Sequence, residues 1–261
     1  MHNQVKTITF RASDGNTVKL EQHESLPSTA SLAREYAAAG YPDRYVVFTE
    51  KQTELSALGD SLTGKDPEKG LYLSCILRPS IFSSQVGCIG PLSALALSNA
   101  MEEHTMRSIG IGWVSDIYCD GARIGSTAVE GKLDNFTSYE YLIVSFAVRL
   151  DEKKFQPRLT DRVRRVFVEE NQSIPMIMAK TVLNNFFAVY KEIKNPEKHL
   201  NNYIGKFILN DKKVKYLKNG KKKPAKVIGI NKDNITLIIE TRDGRRINVS
   251  SQSSIILPTK I

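Results

Sequence analysis

The segment from residue 139 to residue 149, which reads YEYLIVSFAVR, is almost wholly apolar, and it constrains the fold more than any other stretch of the chain. A strand with one face in solvent alternates apolar and polar residues, whereas a strand that is buried on both faces has a nearly continuous apolar run. The segment therefore predicts the central strand of a sheet.

Shorter runs with strand character lie on the N-terminal side of this segment. They occupy residues 6–10, 17–20, 45–50, 71–77, 109–114, 117–119 and 122–129. Three helices are also predicted. The first spans residues 28–40, with Ser28 or Thr29 as its cap and Gly40 at its end. The second runs from about residue 93 to 104, and the third from Ser173 to about residue 193 with Pro175 in its first turn.

The pattern changes after residue 202, where the runs become short and closely spaced. Strands are predicted at residues 206–209, 224–230, 235–240, 246–249 and 254–257. Turns at Asn219-Gly220 and Asp243-Gly244 separate some of them. Five short strands in about 60 residues predict a small barrel like an SH3 domain.

The charge distribution supports a domain boundary near residue 198. From Leu200 to the end the chain has 14 Lys and Arg against 4 Asp and Glu, a net charge of +10. The whole chain has a net charge of +9, so the remainder is close to neutral. We therefore predict one domain at residues 1–198 and a small second domain at residues 199–261.

Composition narrows the class of protein. No apolar run approaches the ~18–20 residues of a membrane span, and the N-terminus has no basic region followed by an apolar core. Three scattered cysteines (Cys75, Cys88 and Cys119) indicate free thiols in a reducing cytoplasm. The four histidines have no metal-ligand spacing, so no metal site is predicted.

An ordered set of residues lies at the joints between these elements. The set consists of Ser28-Thr29 at a helix start, Gln52 after a strand, Trp113 three residues before Asp116, Arg123 seven residues later, and the tail NYIGK at 202–206. In order and spacing it resembles the biotin–protein ligases of the biotin/lipoate A/B protein ligase superfamily, over residues 18–257. The resemblance implies an α+β fold, in which a mixed sheet flanked by helices precedes an SH3-like barrel.

The resemblance also implies an activity. The family uses ATP, with magnesium, to convert biotin to biotinoyl-AMP, and then transfers biotin to a lysine of a biotin carboxyl carrier protein. Some members carry an N-terminal helix-turn-helix that binds DNA. The chain has no room for one before Ser28, so we expect the single-function type, without specific DNA binding. Its expected partners are biotin and a carrier domain, with no membrane, and the expected state is a monomer or a homodimer.

The same resemblance assigns roles to individual side chains. Ser28, Thr29 and Gln52 would meet the biotin ring and carboxylate. Trp113 and Asp116 would flank the adenylate. Two further positions belong to the implied ligand site: a cationic side chain at Arg123 beside the reacting carboxylate, and Ser126 in the turn that follows.

The chain departs from the family where phosphate is handled. Residues 55–58 read Leu-Ser-Ala-Leu where the family has Gly-Arg-Gly-Arg, and Gly112 replaces a lysine. Residues 147–149 read Ala-Val-Arg where the family has Gly-Ile-Asn, and Ser126 replaces a glycine. Fixed positive charge stabilises the transition state of activation, so these losses predict weakened adenylation. We hypothesise that Lys65 or Lys69, in the long polar stretch after Gln52, supplies the missing charge.

Two other functions remain open. One is a non-catalytic binding module for a biotin-like ligand, an acyl ligand or a carrier domain. The other is an ATP-independent lipoyl or octanoyl transferase, a branch that generally needs a lysine near Gly112 and sometimes a reactive cysteine. Each site residue also has a structural interpretation: helix capping for Ser28 and Thr29, a loop position for Gln52, and the core for Trp113. For Asp116 it is the start of a turn, and for Arg123 a solvated charge at a strand end.

Lysines cluster around the first turn of the predicted barrel. They are Lys212, Lys213, Lys215, Lys218, Lys221, Lys222 and Lys223. Such a patch is compatible with electrostatic binding of nucleic acid, with attraction of an acidic carrier domain, or with a solubilising surface.

Overall fold

The computed structural model describes residues 5–54, 69–81, 83–134, 138–150, 173–218, 220–232, 234–250 and 255–256. The described chain forms an eight-stranded mixed sheet followed by a five-stranded antiparallel sheet. The strands of the first sheet are β1 (Lys6–Arg11), β2 (Thr17–His23), β3 (Tyr45–Lys51), β4 (Lys69–Leu77), β5 (Ile109–Gly112), β6 (Asp116–Cys119), β7 (Ala122–Leu133) and β8 (Tyr139–Arg149).

Strand β8 lies inside the large sheet, as its apolar sequence predicted. The strand order is β1-β2-β3-β4-β8-β7-β6-β5, so β8 pairs with β4 on one side and β7 on the other. Strands β2 and β3 are parallel, and the other neighbouring pairs are antiparallel. The predicted mixed sheet is therefore confirmed.

Helices cover both faces of this sheet. They are α1 (Thr29–Ala38), α2 (Ser83–Val86), α3 (Ile89–Thr105), α4 (Ile174–Tyr190) and α5 (Glu197–Gly205). Helices α3 and α4 contribute to the large apolar core on one face of the sheet. Helix α1 packs on the opposite face in a smaller apolar cluster with Val47, Ile76 and Ile143. No helix in the described part of the chain is long and apolar enough to cross a membrane.

The predicted helix ends are mostly close to the observed ones. Ser28 caps α1 by accepting a hydrogen bond from the backbone N–H of Ser31, and Ser173 caps α4 in the same way. Helix α3 begins four residues earlier than expected, because Pro91 falls in its first turn, where a missing N–H costs no helical hydrogen bond.

The second sheet confirms the SH3-like barrel, although part of its predicted content was wrong. Its strands are β9 (Lys213–Lys218), β10 (Lys221–Asn231), β11 (Thr236–Thr241), β12 (Arg246–Val249) and β13 (Ile255–Ile256), in the order β12-β11-β10-β9-β13. The strand predicted at residues 206–209 does not belong to this sheet. Instead, the backbone there pairs with Ile111 at the edge of the large sheet, and β9 takes its place in the barrel.

Helix α5 was not predicted, and it crosses the expected boundary at residue 198. Tyr203 is buried in the apolar core of the large sheet, and Lys206 forms a 2.6 Å ion pair with Glu102 of α3. The division of the chain at residue 198 stays a prediction. These contacts tie α5 to the first sheet and its helices.

Trp113 joins the two sheets. Its side chain is fully buried among the apolar residues of the barrel, and its indole N–H donates to the backbone carbonyl of Ile235. The next residue, Val114, accepts a hydrogen bond from the Tyr203 hydroxyl at 2.9 Å. The segment between β5 and β6 is therefore held by the barrel on one side and by α5 on the other.

We predict that Trp113→Ala lowers the free energy of unfolding by about 3–5 kcal/mol, because it removes a fully buried ring and leaves a cavity. Since Trp113 is the only tryptophan, unfolding should be followed by far-ultraviolet circular dichroism in urea. The control is Leu217→Ala at a solvent-facing position of β9, with a change within about 0.5 kcal/mol. A loss below about 1 kcal/mol in Trp113→Ala would contradict this role.

Candidate ligand-binding site

The register of the large sheet determines which side chains share the face on which α1 packs. One cross-strand row on this face consists of Thr49, Tyr72, Ala147, Ser126, Asp116 and Gly112, from β3 to β5. The next row on this face contains Ser74 of β4 and Ser145 of β8. Since neighbouring strands lie about 4.8 Å apart, Asp116 lies roughly 12 Å from Ser145 across the face.

A buried polar network lies at the α1 end of this face. Gln52 accepts hydrogen bonds at its Oε1 from the backbone N–H and the hydroxyl of Thr29, at 2.9 and 3.2 Å. Ser74 donates to the Thr29 hydroxyl oxygen at 2.9 Å, and its own oxygen lies 2.8 Å from the hydroxyl of Ser145. Buried polar groups are costly unless they are paired, so this network orients Gln52 and Thr29 firmly.

The backbone supports the same arrangement. Leu26 and Gln52 form a parallel bridge, and the N–H of Thr53 donates to the carbonyl of Leu26. Ser28 is itself buried and serves as the cap of α1. One N–H of the Gln52 amide donates to the carbonyl of Glu54. An amide carries two such hydrogens, and the other has no partner among the residues that the structure describes.

A buried ion pair lies at the other end of the face. Arg123 Nη2 is 2.6 Å from Asp116 Oδ1, and both side chains are nearly covered. Burial raises the pKa of Asp116 above its ordinary value, and the Arg123 guanidinium offsets part of that rise. Asp116 is therefore neither a simple turn residue nor exposed, and Arg123 is not a solvated strand-end charge.

An aromatic ring fills the space above Gly112. A Cβ built on Gly112 would lie 2.8 Å from the ring of Tyr118, so any side chain at this position requires that ring to move. Tyr118 is almost fully buried. Burial and the Asp116 carboxylate raise the pKa of the Tyr118 phenol, which is therefore neutral at physiological pH. The place at which the family's lysine would begin is occupied by Tyr118.

The other expected site residues have varied surroundings. Trp113, assigned to the adenylate by resemblance, is buried in the barrel core with no exposed surface. Ser126 is buried in the row between Asp116 and Ala147. Lys65 lies outside the described residues, and for Lys69 only the backbone, at the start of β4, is described. No described residues form a group of three or more His, Cys, Asp or Glu that could hold a metal ion.

Sequence reasoning missed four residues of this face. Ser74 and Ser145 belong to the polar network, Tyr72 lies in the same row as Asp116, and Tyr118 lies two residues beyond Asp116 on β6. Each is a polar or aromatic residue at every second position of a mostly buried strand. That alternation separates a polar face from the apolar one and was a detectable signal.

The thiol of Cys119 does not have the surroundings of a nucleophile. Burial and Asp120 raise the pKa of the Cys119 thiol, although Arg107 partly offsets this, so its reactive thiolate form is disfavoured.

The basic residues of the barrel extend from the loop before β9 along both strands of the β9–β10 hairpin, where Lys218 lies opposite Lys221.

Comparisons with known proteins agree with this architecture. No family model matches the chain. The biotin protein ligase of Aquifex aeolicus superposes with a TM-score of 0.65 over 92% of this chain and 97% of that one, at 18% identity. The same ligase in complex with biotin and ATP gives a TM-score of 0.64 over 91% and 97% of the two chains, also at 18% identity. The chain therefore has the biotin protein ligase fold.

A curated sequence relative points the same way over a shorter stretch. The bifunctional ligase/repressor BirA of Bacillus subtilis (strain 168) is 29% identical over 101 residues, which is 39% of this chain. The match spans only 31% of that relative's length. The resemblance to the biotin–protein ligases is thus confirmed for the fold.

We predict that Arg123→Ala lowers the free energy of unfolding at pH 7 by about 3–5 kcal/mol, because it leaves the Asp116 carboxylate buried without its cation. The pKa of Asp116 should then rise further. At a pH between the pKa of Asp116 in the unfolded chain and its higher pKa in the folded variant, the folded variant holds a proton that the unfolded chain has released. Lowering the pH therefore stabilises the folded variant, and the loss in free energy of unfolding should be smaller at pH 5 than at pH 7.

The measurement is urea unfolding at several pH values. Arg123→Lys, which keeps a cation, should lose less than Arg123→Ala. The control is Lys132→Ala. Lys132 lies on β7, like Arg123, and forms an exposed ion pair with Glu140, so its loss should change the free energy of unfolding much less and without dependence on pH. Equal losses for Arg123→Ala at pH 5 and pH 7 would contradict a raised Asp116 pKa.

Proposed function

We propose that this protein binds biotin on the sheet face between the Thr29–Gln52 network and the Asp116–Arg123 pair, and that it carries out the biotin–protein ligase reaction. The observation that supports this most strongly is that two separate polar groups, distant in sequence, lie on one face of the sheet. The ring of biotin offers hydrogen-bonding groups to Thr29 and Gln52, and its carboxylate would point toward Arg123.

The proposed reaction has two steps. A carboxylate oxygen of biotin attacks the α-phosphorus of ATP, a P–O bond breaks, and pyrophosphate leaves. The amine of a carrier lysine then attacks the acyl carbon of biotinoyl-AMP, forming an amide as AMP leaves and the amine loses a proton. Of the described residues, Arg123 is the candidate catalytic residue, since its guanidinium can bind the reacting carboxylate and the charge that develops there.

Magnesium is implied by the family, and the described residues fit it poorly. Magnesium prefers carboxylate and phosphate oxygens together with waters. Asp116 is the only carboxylate in the cross-strand row from Thr49 to Gly112, and its charge is offset by Arg123. No step is therefore assigned to a protein-bound metal.

A second candidate function is supported by a specific observation. With Tyr118 over Gly112, a cationic side chain at that position requires the ring to move, while the Thr29–Gln52 hydrogen bonds are formed. A face that keeps its ligand network but lacks that cation suits a non-catalytic holder of biotin, of an acyl ligand or of a carrier domain. The third function, an ATP-independent acyltransferase, has no support from Cys119 because burial raises the pKa of its thiol.

Biotin-dependent exchange of labelled pyrophosphate into ATP distinguishes the two candidates, with an authentic biotin ligase assayed beside the purified protein. Exchange above the blank without biotin would establish activation. If the protein binds biotin in calorimetry but gives no exchange, the binding function replaces the ligase function. If it neither binds biotin nor exchanges pyrophosphate, the ligase function and the holding of biotin are both overturned, and an acyl ligand or a carrier domain is left as the occupant of the face.

We predict that Thr29→Val weakens biotin binding by about tenfold or more, because Gln52 and Ser74 each lose a buried partner. The matched control is Thr127→Val. Thr127 is equally buried but pairs with Phe146 on the opposite face, and its hydroxyl has no partner among the described residues. Titration calorimetry should show wild-type affinity for the control. Equal affinities of the two variants would contradict the proposed position of biotin.

We predict that Gly112→Lys alone destabilises the protein by about 1–3 kcal/mol, because its Cβ collides with Tyr118. In a Tyr118→Ala background the same substitution should cost clearly less, and the double variant should show more pyrophosphate exchange than Tyr118→Ala alone. A double-mutant cycle in urea measures the coupling. Additive losses would show that the ring does not block the position.

A further inference from the structure

The hairpin of β9 and β10 extends beyond the neighbouring strands of the barrel. In the described part of the chain, β13 pairs with β9 at Lys215 and Tyr216, and the pairing of β10 with β11 ends at Ala225. Past the pair of Tyr216 with Lys223, the described strands β9 and β10 pair only with each other. Two residue pairs and the turn at Gly220 therefore project as a two-stranded ribbon, by about 10 Å at about 3.3 Å per residue.

The hairpin carries exposed lysines on both of its faces. Val214 and Tyr216 are buried in the barrel core, so the residues that alternate with them lie on the opposite face of β9. One face carries Lys213, Lys215 and Lys222, and the other carries Lys218, Lys221 and Lys223. All six side chains are exposed to solvent.

The positive charge of the hairpin is not neutralised by the described part of the chain. From Lys212 to Lys226 the sequence has eight lysines and no Asp or Glu. Lys226 forms an ion pair with Asp211 at 2.6 Å, but none of the six lysines of the two faces forms one with another described residue. The hairpin therefore attracts anions from both sides.

Opposed lysines make this arrangement costly for the isolated protein. Lys218 lies directly opposite Lys221, and Lys213 lies opposite Lys226. Like charges at opposed positions of two strands destabilise the pairing. Lysines on a free strand edge prevent edge-to-edge association, and a solubilising surface usually mixes both signs of charge, but neither role needs opposed lysines. The pattern therefore indicates an anionic partner.

The placement of the charges discriminates between classes of anionic partner. A flat acidic protein surface would meet one face of the ribbon only. The major groove of duplex DNA is about 12 Å wide and admits a two-stranded ribbon, whose two faces then meet the phosphates of the two strands. The major groove of duplex RNA is deep and narrow, which makes it less suitable. Lysines on both faces thus favour duplex DNA.

The types of side chain indicate how such a duplex is bound. Proteins that bind single strands stack bases on exposed aromatic rings, and Tyr216, the one aromatic residue of the hairpin, is buried in the barrel core. Lysine provides a point charge without the planar fork with which arginine recognises guanine. The contacts should therefore be to phosphates, which carry no sequence information directly.

We propose that the β9–β10 hairpin binds double-stranded DNA without sequence specificity, by entering the major groove with one lysine face toward each wall. This binding is separate from the proposed binding of biotin on the large sheet and does not depend on it. Each phosphate that a lysine neutralises releases condensed counterions, so the affinity falls steeply with salt. With about four such contacts, the affinity should fall about 100-fold between 50 and 200 mM salt.

The test measures the fluorescence anisotropy of labelled DNA duplexes of two unrelated sequences, titrated with the full chain at several salt concentrations. Two triple variants each remove the charges of one face. They are Lys213→Gln, Lys215→Gln and Lys222→Gln for the first face, and Lys218→Gln, Lys221→Gln and Lys223→Gln for the second. The control removes the same number of charges from exposed lysines outside the barrel, namely Lys191→Gln, Lys194→Gln and Lys198→Gln.

Both hairpin variants should bind both duplexes at least about tenfold more weakly than the wild type at 50 mM salt. Their salt slopes should be smaller by about 2 to 3, because each lost phosphate contact removes about 1. The control should stay within about twofold of the wild type, since salt screens charges that make no contact. Circular dichroism checks folding, and if a triple variant is unfolded, its single variants decide, each with a slope smaller by about 1.

Several results would overturn the proposal. Loss of affinity in only one hairpin variant would show a flat contact instead of groove binding, and an equal loss in the control would show diffuse attraction. A preference between the two sequences would contradict phosphate-only contacts. Failure of the wild type to bind duplex DNA, or tighter binding of single-stranded DNA, duplex RNA or polyglutamate, would remove duplex DNA as the partner.

Discussion

The burial of one apolar face of the large sheet against α3 and α4 is the constraint on which the candidate site depends. Side chains alternate between the faces of a strand, so a shift of one residue would turn every core residue of that strand toward solvent. Burial of Val144, Phe146 and Val148 therefore holds β8 in register. The same register places Ser145 and Arg149 on the other face, beside the polar groups of β4, β6 and β7. The polar face that carries the candidate site is thus a consequence of how the core packs.

The barrel supports this face through Trp113, although no barrel strand belongs to the cross-strand row from Thr49 to Gly112. Trp113 lies in the barrel core, and the next residues lead directly into β6. A residue that the family resemblance assigned to the ligand is, in this chain, an anchor between two sheets. The anchor places Asp116 at the start of β6, where it meets Arg123. Stability of the junction and geometry of the candidate site are therefore coupled.

The sequence was informative where local patterns decide the structure. The apolar run of β8 and the Ser28 cap of α1 could be predicted because each depends on a few neighbouring residues. Strand β9 was missed although Val214 and Tyr216 alternate with lysines, since the charge cluster was interpreted as a turn. The Ser74–Ser145 contact joins residues 71 positions apart and required the pairing of β4 with β8. Such contacts depend on topology, which local patterns do not contain.

The central claim is that biotin lies across this face, with its ring at Gln52 and Thr29 and its carboxylate at Arg123. A crystal structure of the protein soaked with biotin tests it most directly. The account predicts density for the ring within hydrogen-bonding distance of Gln52 or Thr29, and for the carboxylate beside Arg123. Biotin bound elsewhere, or bound with the carboxylate at Gln52, would contradict the account.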